Sequence, residues 1–543
     1  MGVVQTAAGL RASFEARRAC WGAKPGALRW QPPPPARGDR AAGRRLVNGL
    51  LLFDGALHEL EDDASPWEIT PPGARWSDIL HGHGWIDDLA CLSDGHSRRL
   101  MARWVHQWIG LYGQGVGPGW APQLAARRLV RWVAHATDVL NGASEAQSHA
   151  FFRALSAHAR YLDRLWRQAP AGIARIETVA GMLFGRVSLE GGLAPGPGVV
   201  ELGRSAAAIV DPDGGIESRN PQDLLGLIEI LDWSAEIVRA AGLEPDPRHI
   251  SALSRMRPAL AALVHANGHL ARFHGARASE AGAVATALGA PSDRTRAHLG
   301  ALGYARMAAG EATVIVDTAP PPRGRGLRHA SALAFELTSG PAPVIVNAGS
   351  GLGFGEDRAV EGASTLSHST VSLRGESHPV RGPGQRPVRV AGTVTRESDG
   401  LWLMGESRAW VPAYGLVHER RLHLDPAGTA LGGEDTFVAS AQAERSRLNE
   451  MLPPGLASRW FEARFVIHPD ADVRPALNGR AALIVLPGGG RWMLRTDASE
   501  VVVRPGQYHD PARVHPRATK LIVVTGEILE YWGRITWSLE QLP

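Results

Sequence analysis

"PQDLLGLIEILDWSAEIVRAAG", residues 221–242, and "EATVIVDT", residues 311–318, decide the fold between them. In the first, Leu224, Leu227, Ile228, Leu231 and Val238 recur at helical spacing. In the second, Ala312, Val314 and Val316 fall on alternate positions, with Ile315 filling the run, as in a strand with little exposed face. Asn220 and Pro221 in front of the first stretch form a strong helix start, Asn at the cap and Pro at the first turn, with Asp223 just inside.

The two periods extend outward from these stretches. Before them, "LMARWVHQWIGLYG" (100–113), "AARRLVRWVAHATDVL" (125–140), "HAFFRALSAHARYLDRLWRQ" (149–168) and "ARIETVAGMLFGRV" (174–187) are all helix-periodic; "HISALSRMRPALAALVHANG" (249–268) follows. After about residue 300 come short alternating or apolar runs such as "ALAFELTSG" (332–340), "APVIVNAG" (342–349), "AALIVLPG" (481–488) and "TKLIVVTG" (519–526). Gly, Pro, Asp or Asn separate them, the pattern of a large antiparallel sandwich. Helices segregated from strands predict two domains in succession and exclude an alternating α/β sheet. The expected boundaries are an arm over 1–75 that packs back on the helices, a helical domain over 76–295 and a sandwich over 296–543. One helix is expected in the arm, near "ARGDRAAGRRLVNGLLL" (36–52).

The 543 residues carry 58 Lys and Arg against 54 Asp and Glu, a formal charge of +4, which demands neither nucleic acid nor a membrane as partner. Cys20 and Cys91 give no disulfide framework and no metal-ligand spacing. No run approaches a membrane span, and the first 20 residues lack the pattern of a signal peptide. The 17 Trp outnumber 6 Tyr and 11 Phe; they are core by default and a platform for sugar rings otherwise. P-loop, G-x-S-x-G and H-E-x-x-H motifs are missing.

Polar residues crowd four places. "DPDGGIESRNPQDLLG" (211–226) presents Asp211, Asp213, Glu217 and Arg219 ahead of the Asn220 cap, and capping does not explain Glu217 or Arg219. "GLRHASALAFELTSG" places His329 at the head of an expected strand, and "STLSHSTVSL" (364–373) places His368 where a strand begins. "VIVNAGSG" ends an expected strand at Asn347. Two histidines and an amide near one end of a sandwich suit a ligand or a metal, or each bonds a loop carbonyl.

In order, "DGGIESRNPQDLLGLIEIL", "HANGHLARFHG" (265–275), "GYARMAAGEATVIVDTAPPP" (303–322), "HASALAFELTSGPAPVIVNAG" (329–349), "STLSHSTVSL" and "RFVIHPD" (464–470) resemble the heparinase II/III-like family from about Pro66 to the C-terminus. The resemblance implies an incomplete (α/α) toroid followed by an antiparallel β-sandwich. It implies a polysaccharide lyase that cleaves uronic-acid-containing chains, such as heparan sulfate or alginate, by β-elimination. A base takes the C5 proton once the neighbouring carboxylate is neutralised, and an acid protonates the leaving O4.

By position, Asn220 is expected to face the uronate carboxylate, with Arg219 assisting and Glu217 beside it. His329 is expected to complete the site from the sandwich. His329, Asn347 and His368 fall where some members hold a metal, so a structural zinc is considered, although none is required and Asn347 replaces the acid. The family's Tyr base is missing from "ALVHANGHLARFHGARASE" (262–280), which leaves His265, His269 and His274; His265 is preferred and His274 second. The expected partner is an acidic polysaccharide or oligosaccharide, held by Trp and Arg side chains of the toroid groove. The resemblance points to the periplasm or cell envelope. The alternatives are a non-catalytic glycan-binding or envelope protein on this scaffold, and a hydrolase using Asp211, Asp213 or Glu217.

Overall fold

The computed structural model describes residues 7–33, 38–61, 63–192, 194–277, 279, 281–289, 300–323, 327–380, 388–453, 459–510 and 512–543. The Pro-rich residues 34–37 and most of the expected boundary, 290–299, lie outside them. The chain forms two compact units: Met1–Asp211 with Gly226–Arg255, and Pro212–Leu225 with Met256–Pro543. The division does not follow the switch of period. The capping loop at 212–225 and the segment after Met256 count with the sheets, because their polar side chains bond there.

The first unit is helical. The long helices Gly95–Tyr112, Pro122–Ala134, Glu145–Leu165 and Ile173–Ser188 bury the faces their periodicity defines. Two glycines one turn apart set how closely they pack. A Cβ at Gly181 would lie 2.5 Å from that of Ala126, and one at Gly185 would lie 2.9 Å from that of Ala159.

Most tryptophans of this unit are core rather than sugar platforms. Trp76, Trp85, Trp104, Trp108 and Trp132 are at most 1 % exposed, while Trp21 is 93 % exposed. Arg128 lies among them, its guanidinium 4.1 Å from the Trp108 ring, donating to the His81 carbonyl at 2.7 Å and to His158 Nε2 at 3.1 Å. Burial pulls this guanidinium down to about 9.

The arm differs from its sequence reading. Helices span Ala7–Trp21 and Arg40–Val47, but "LLLF" is a strand, Leu50–Phe53, paired with Ala56–Glu59. Asp54 and Gly55 between them both have positive φ, 47° and 73°, which is the Asp-Gly hairpin turn. The arm is tied to the helices: Arg29 N–H donates to the Ser188 carbonyl at 2.8 Å, and Glu190 N–H to the Ala27 carbonyl at 3.0 Å.

The second unit holds two antiparallel sheets. In one, the order runs Val501–Tyr508, Arg517–Glu527, Trp460–Ile467, Ala342–Val346, Phe335–Ser339, Ala312–Asp317, Tyr304–Ala309 and Gly300–Ala301, with Val371–Leu373 also pairing Trp460–Ile467. In the other it runs Asp472–Ala476, Ala481–Val485, Arg491–Thr496, Trp532–Leu542, Ala430–Val438, Val417–Leu424, Gly400–Ser407 and Val390–Glu397. One core joins them: Val314, Phe335, Ile345 and Ile522 from the first sheet meet Leu403, Leu422, Trp492 and Trp537 from the second. Phe335 and Trp537 stack with centroids 5.7 Å apart.

A buried ion pair joins adjacent strands of the second sheet beside this core. Arg420 grips Asp435 through two bonds of 2.7 and 2.9 Å, and its remaining nitrogen donates to the Leu333 and Ser369 carbonyls at 2.8 and 3.1 Å. Those carbonyls belong to the two segments that carry His329 and His368.

Candidate active site

The loop Asp211–Asn220 ends as its sequence predicts. Asn220 Oδ1 accepts the Gln222 N–H at 2.9 Å and caps the helix Pro221–Ala240. Its Nδ2 makes no hydrogen bond among the described residues and lies 3.7 Å from where a Cβ of Gly275 would stand. Glu217 is exposed, as are Asp211 and Asp213, so none of the three sits in the enclosed apolar setting that a hydrolase's general acid needs.

Arg219 is held differently from the expectation. Its φ is 51°, and the backbone turns the side chain into the second unit, where it is 8 % exposed. Its Nε donates to the Leu302 carbonyl at 2.7 Å, and Nη1 to the carbonyls of Ala319 and Pro320 at 3.1 and 2.6 Å. Its Nη2 donates to the Gly303 carbonyl at 2.9 Å and to Asp317 Oδ1 at 2.5 Å. The Tyr304 ring lies 4.7 Å below the guanidinium, and its hydroxyl donates to the Arg219 carbonyl at 2.6 Å. All five N–H groups are thus engaged, and none is left for a substrate carboxylate. Burial opposes the charge, but Asp317 outweighs it and holds the guanidinium above its ordinary value. In return Arg219 and His274 hold Asp317, against its own burial, well below the usual carboxylate range.

Asp317 organises the histidines. Its Oδ2 accepts from Ser331 Oγ at 2.7 Å and lies 3.3 Å from His274 Nε2. His274 Nδ1 accepts the backbone N–H of His329 at 3.2 Å, so the His274 proton resides on Nε2 and points at Asp317. Burial lowers the His274 pKa and keeps the ring neutral. Both of its nitrogens are therefore committed.

His329 is not on a strand, since Phe335–Ser339 begins six residues later; it lies in the segment leading to it. Its Nδ1 is 3.1 Å from His368 Nε2, while His368 Nδ1 is 2.7 Å from the Ser364 carbonyl. A carbonyl only accepts, so His368 carries its proton on Nδ1 and presents a bare Nε2. His329 must then carry its proton on Nδ1, which leaves Nε2 as a lone pair. That Nε2 is buried and has no hydrogen-bond partner among the described residues. Burial, with His368 and His274 beside it, holds the His329 pKa well below 6.5; burial brings His368 down to about 4.

The preferred sequence candidate, His265, belongs to another cluster. Its Nε2 is 3.0 Å from Glu336 Oε2, which also accepts the Arg272 N–H at 3.1 Å. Glu336 Oε1 accepts from Asn347 Nδ2 at 3.1 Å, and Asn347 Oδ1 accepts the Ser369 N–H at 3.1 Å. His269 is exposed, its Nδ1 bonded to the Ser279 carbonyl at 2.5 Å.

These bonds test the metal reading. Zinc needs donors whose lone pairs converge. Asn347 spends both ends of its amide elsewhere, and the facing nitrogens of His329 and His368 share a proton. Among the described residues no group of three or more His, Cys, Asp or Glu is arranged to hold a metal ion. His329, Asn347 and His368 thus do not fit zinc in this arrangement.

Sequence reasoning missed Asp317, Ser364 and Glu336. For the two acids the one available signal was a charge in a run read as a strand, at "ATVIVD" and "FELTS"; Ser364 had none.

Residues 291–538 match the family model described as Heparinase II/III-like, C-terminal. The chain is 29% identical over 540 residues to FtsZ-localized protein C of Caulobacter vibrioides (strain NA1000 / CB15N), covering 95% of this chain and 90% of that protein. Its fold is similar to the crystal structure of heparinase III, with a TM-score of 0.68 at 11% identity, over 98% of this chain and 90% of that one. It is also similar to heparan sulfate lyase HepC from Pedobacter heparinus, with a TM-score of 0.57 at 14% identity, over 98% and 88%. The helices followed by antiparallel sheets are those of the heparinase III fold, toroid then sandwich, and the match to the heparinase II/III-like C-terminal domain lies in residues 291–538.

Proposed function

We propose that this chain acts on a uronic-acid-containing glycan by β-elimination, with His329 as the base. One observation carries the reading: His329 Nε2 is a buried, unpartnered lone pair whose tautomer is set by His368 and the Ser364 carbonyl. The tautomer that accepts a proton on Nε2 is thus already set. In the reaction the C5–H bond breaks as Nε2 takes the proton, C4=C5 forms, and the C4–O4 bond breaks. The same imidazolium, made acidic by its burial, returns the proton to O4, and no water is consumed. Asn220 Nδ2 is the donor for the uronate carboxylate. The sequence candidates His265 and His274 serve as positioning groups, since their nitrogens are already bonded.

The test is the ultraviolet absorbance of the unsaturated product when the protein is incubated with heparan sulfate and alginate. Wild type is expected to generate it and His329→Ala to lose it. A His329→Ala variant with wild-type turnover would refute the assignment.

A second reading has its own support. No Tyr stands in residues 262–280, and the relative covering nearly the whole chain is named for its localisation to FtsZ. On that reading the scaffold binds glycan without cutting it. It predicts saturable binding of uronate polymers with no absorbance change, and a fluorescent fusion that follows FtsZ instead of the envelope. No helix of the described residues is long and apolar enough to cross a membrane.

A further inference from the structure

The two sheets of the second unit each run between two end strands, and three of these four edges are blunted. Asp472–Ala476 carries Pro475 and an exposed Arg474, Val501–Tyr508 carries Pro505, and Gly300–Ala301 is only two residues long. Proline, charge and shortness are the devices that keep an edge from recruiting another strand. The fourth edge, Val390–Glu397, is different. It pairs with Gly400–Ser407 over all eight of its residues, with no break in register. Val390–Thr395 holds neither a proline nor a charge, and Arg396 and Glu397 only close the strand.

The open side of this strand is set for pairing. In the same register Arg389 lies opposite Arg408, and the Arg408 N–H donates to the Arg389 carbonyl at 2.8 Å. Backbone groups alternate in direction along an antiparallel strand. Ala391, Thr393, Thr395 and Glu397 therefore turn theirs toward Gly400–Ser407, as Arg389 does. Val390, Gly392, Val394 and Arg396 turn their N–H and C=O groups outward, where no strand among the described residues pairs with them. Side chains alternate too. Arg389, Ala391, Thr393, Thr395 and Glu397 are all exposed on the outer face, small at the centre and oppositely charged at the two ends.

We infer that this edge pairs with the same edge of a second copy, antiparallel about a twofold axis at Thr393, so that two eight-stranded sheets become one. Such an axis keeps both outer faces on one side, so only residues of like parity meet. Centred on Thr393, Arg389 of each copy meets Glu397 of the other, Ala391 meets Thr395, and Thr393 meets its own equivalent. Val390 and Arg396, and Gly392 and Val394, then exchange the outward backbone groups. An axis on Val394 places Glu397 opposite Ala391, and one on Gly392 places Arg389 opposite Thr395; either loses both ion pairs. Charge complementarity thus selects the second copy as the occupant and Thr393 as its centre.

The experiment is sedimentation velocity of the full chain, loaded from about 1 to about 100 µM, because a single strand pair gives an interface at the small, transient end of the scale. Wild type is expected to pass from a 58.0 kDa species to one of twice that mass as the concentration rises. Arg389→Glu and Glu397→Arg each place like charges at both ends of the pair. Each is expected to weaken the dimer by about tenfold or more at the wild-type Tm, both side chains being exposed. The double variant Arg389→Glu/Glu397→Arg restores opposite charges and is expected to dimerise as wild type does. Amide hydrogen exchange in residues 388–397 is expected to slow from the dilute to the concentrated sample. A wild-type monomer throughout the range, a dimer indifferent to the single variants, a double variant left monomeric, or exchange in 388–397 unchanged on dimerisation would each overturn the inference. None of these outcomes bears on the lyase reading, which product absorbance tests separately.

Discussion

Replacing Asp317 by Ala removes the anion on which the histidine cluster is built. The structure fixes what is lost: the ion pair with Arg219, the hydroxyl bond from Ser331 and the contact with His274 Nε2. The guanidinium stays behind, because four carbonyls, of Leu302, Gly303, Ala319 and Pro320, still hold it. A buried charge stripped of its partner costs about 3–5 kcal/mol, so Asp317→Ala is expected to destabilise the second unit by about 4 kcal/mol. That is a large share of an ordinary domain's stability.

Adding Arg219→Met should not rescue the loss, as it would at an isolated ion pair. It orphans the four carbonyls, at about 1 kcal/mol or more for each one that water does not reach. Urea unfolding, followed by the fluorescence of the buried sandwich tryptophans, measures both variants. A loss under 1 kcal/mol for Asp317→Ala, or a double variant restored to wild type, would refute the account of Arg219 as a tie between loop and sheet.

Three other outcomes are expected. If His329 is the base, kcat/KM should hold its plateau well below pH 6.5, because a lowered pKa keeps Nε2 unprotonated there; a fall centred near 6.5 would contradict it. His368 and His378 are buried, and burial brings both down to about 4. Between pH 6.5 and about 4 the unfolded chain binds protons that the native one does not, so stability falls as pH falls, by about 3 kcal/mol per pH unit for the pair. Stability that is flat from pH 6.5 to 5 in urea titrations would show that the rings charge in place. A Cβ at Gly433 would lie 2.1 Å from Trp537 Cζ2, so Gly433→Ala should cost about 1–3 kcal/mol in the same assay, with no change in the His329 pH profile.

The sequence by itself determined what is local. Period 3.6 before residue 290 and period 2 after 300 identified helices and sheets, because burial of one face writes itself into spacing. Asn220–Pro221 announced its helix start, whereas the Leu50–Phe53 strand and its Asp54–Gly55 turn were missed, the apolar run reading as the end of a helix. His265, His274, His329 and His368 stood out as candidates, but nothing in their spacing separated His265, which bonds Glu336, from the other three.

Which of them is free was decided only by the tertiary structure. A histidine's role depends on which nitrogen carries the proton, and its partners decide that. Those partners are remote in sequence: Asp317 lies 98 residues from Arg219, His274 lies 55 from His329, and His368 lies 39 from His329. No spacing rule connects such positions. Arg219 shows the same limit, since a charged loop residue beside a cap reads as a substrate clamp until the fold brings five acceptors to it.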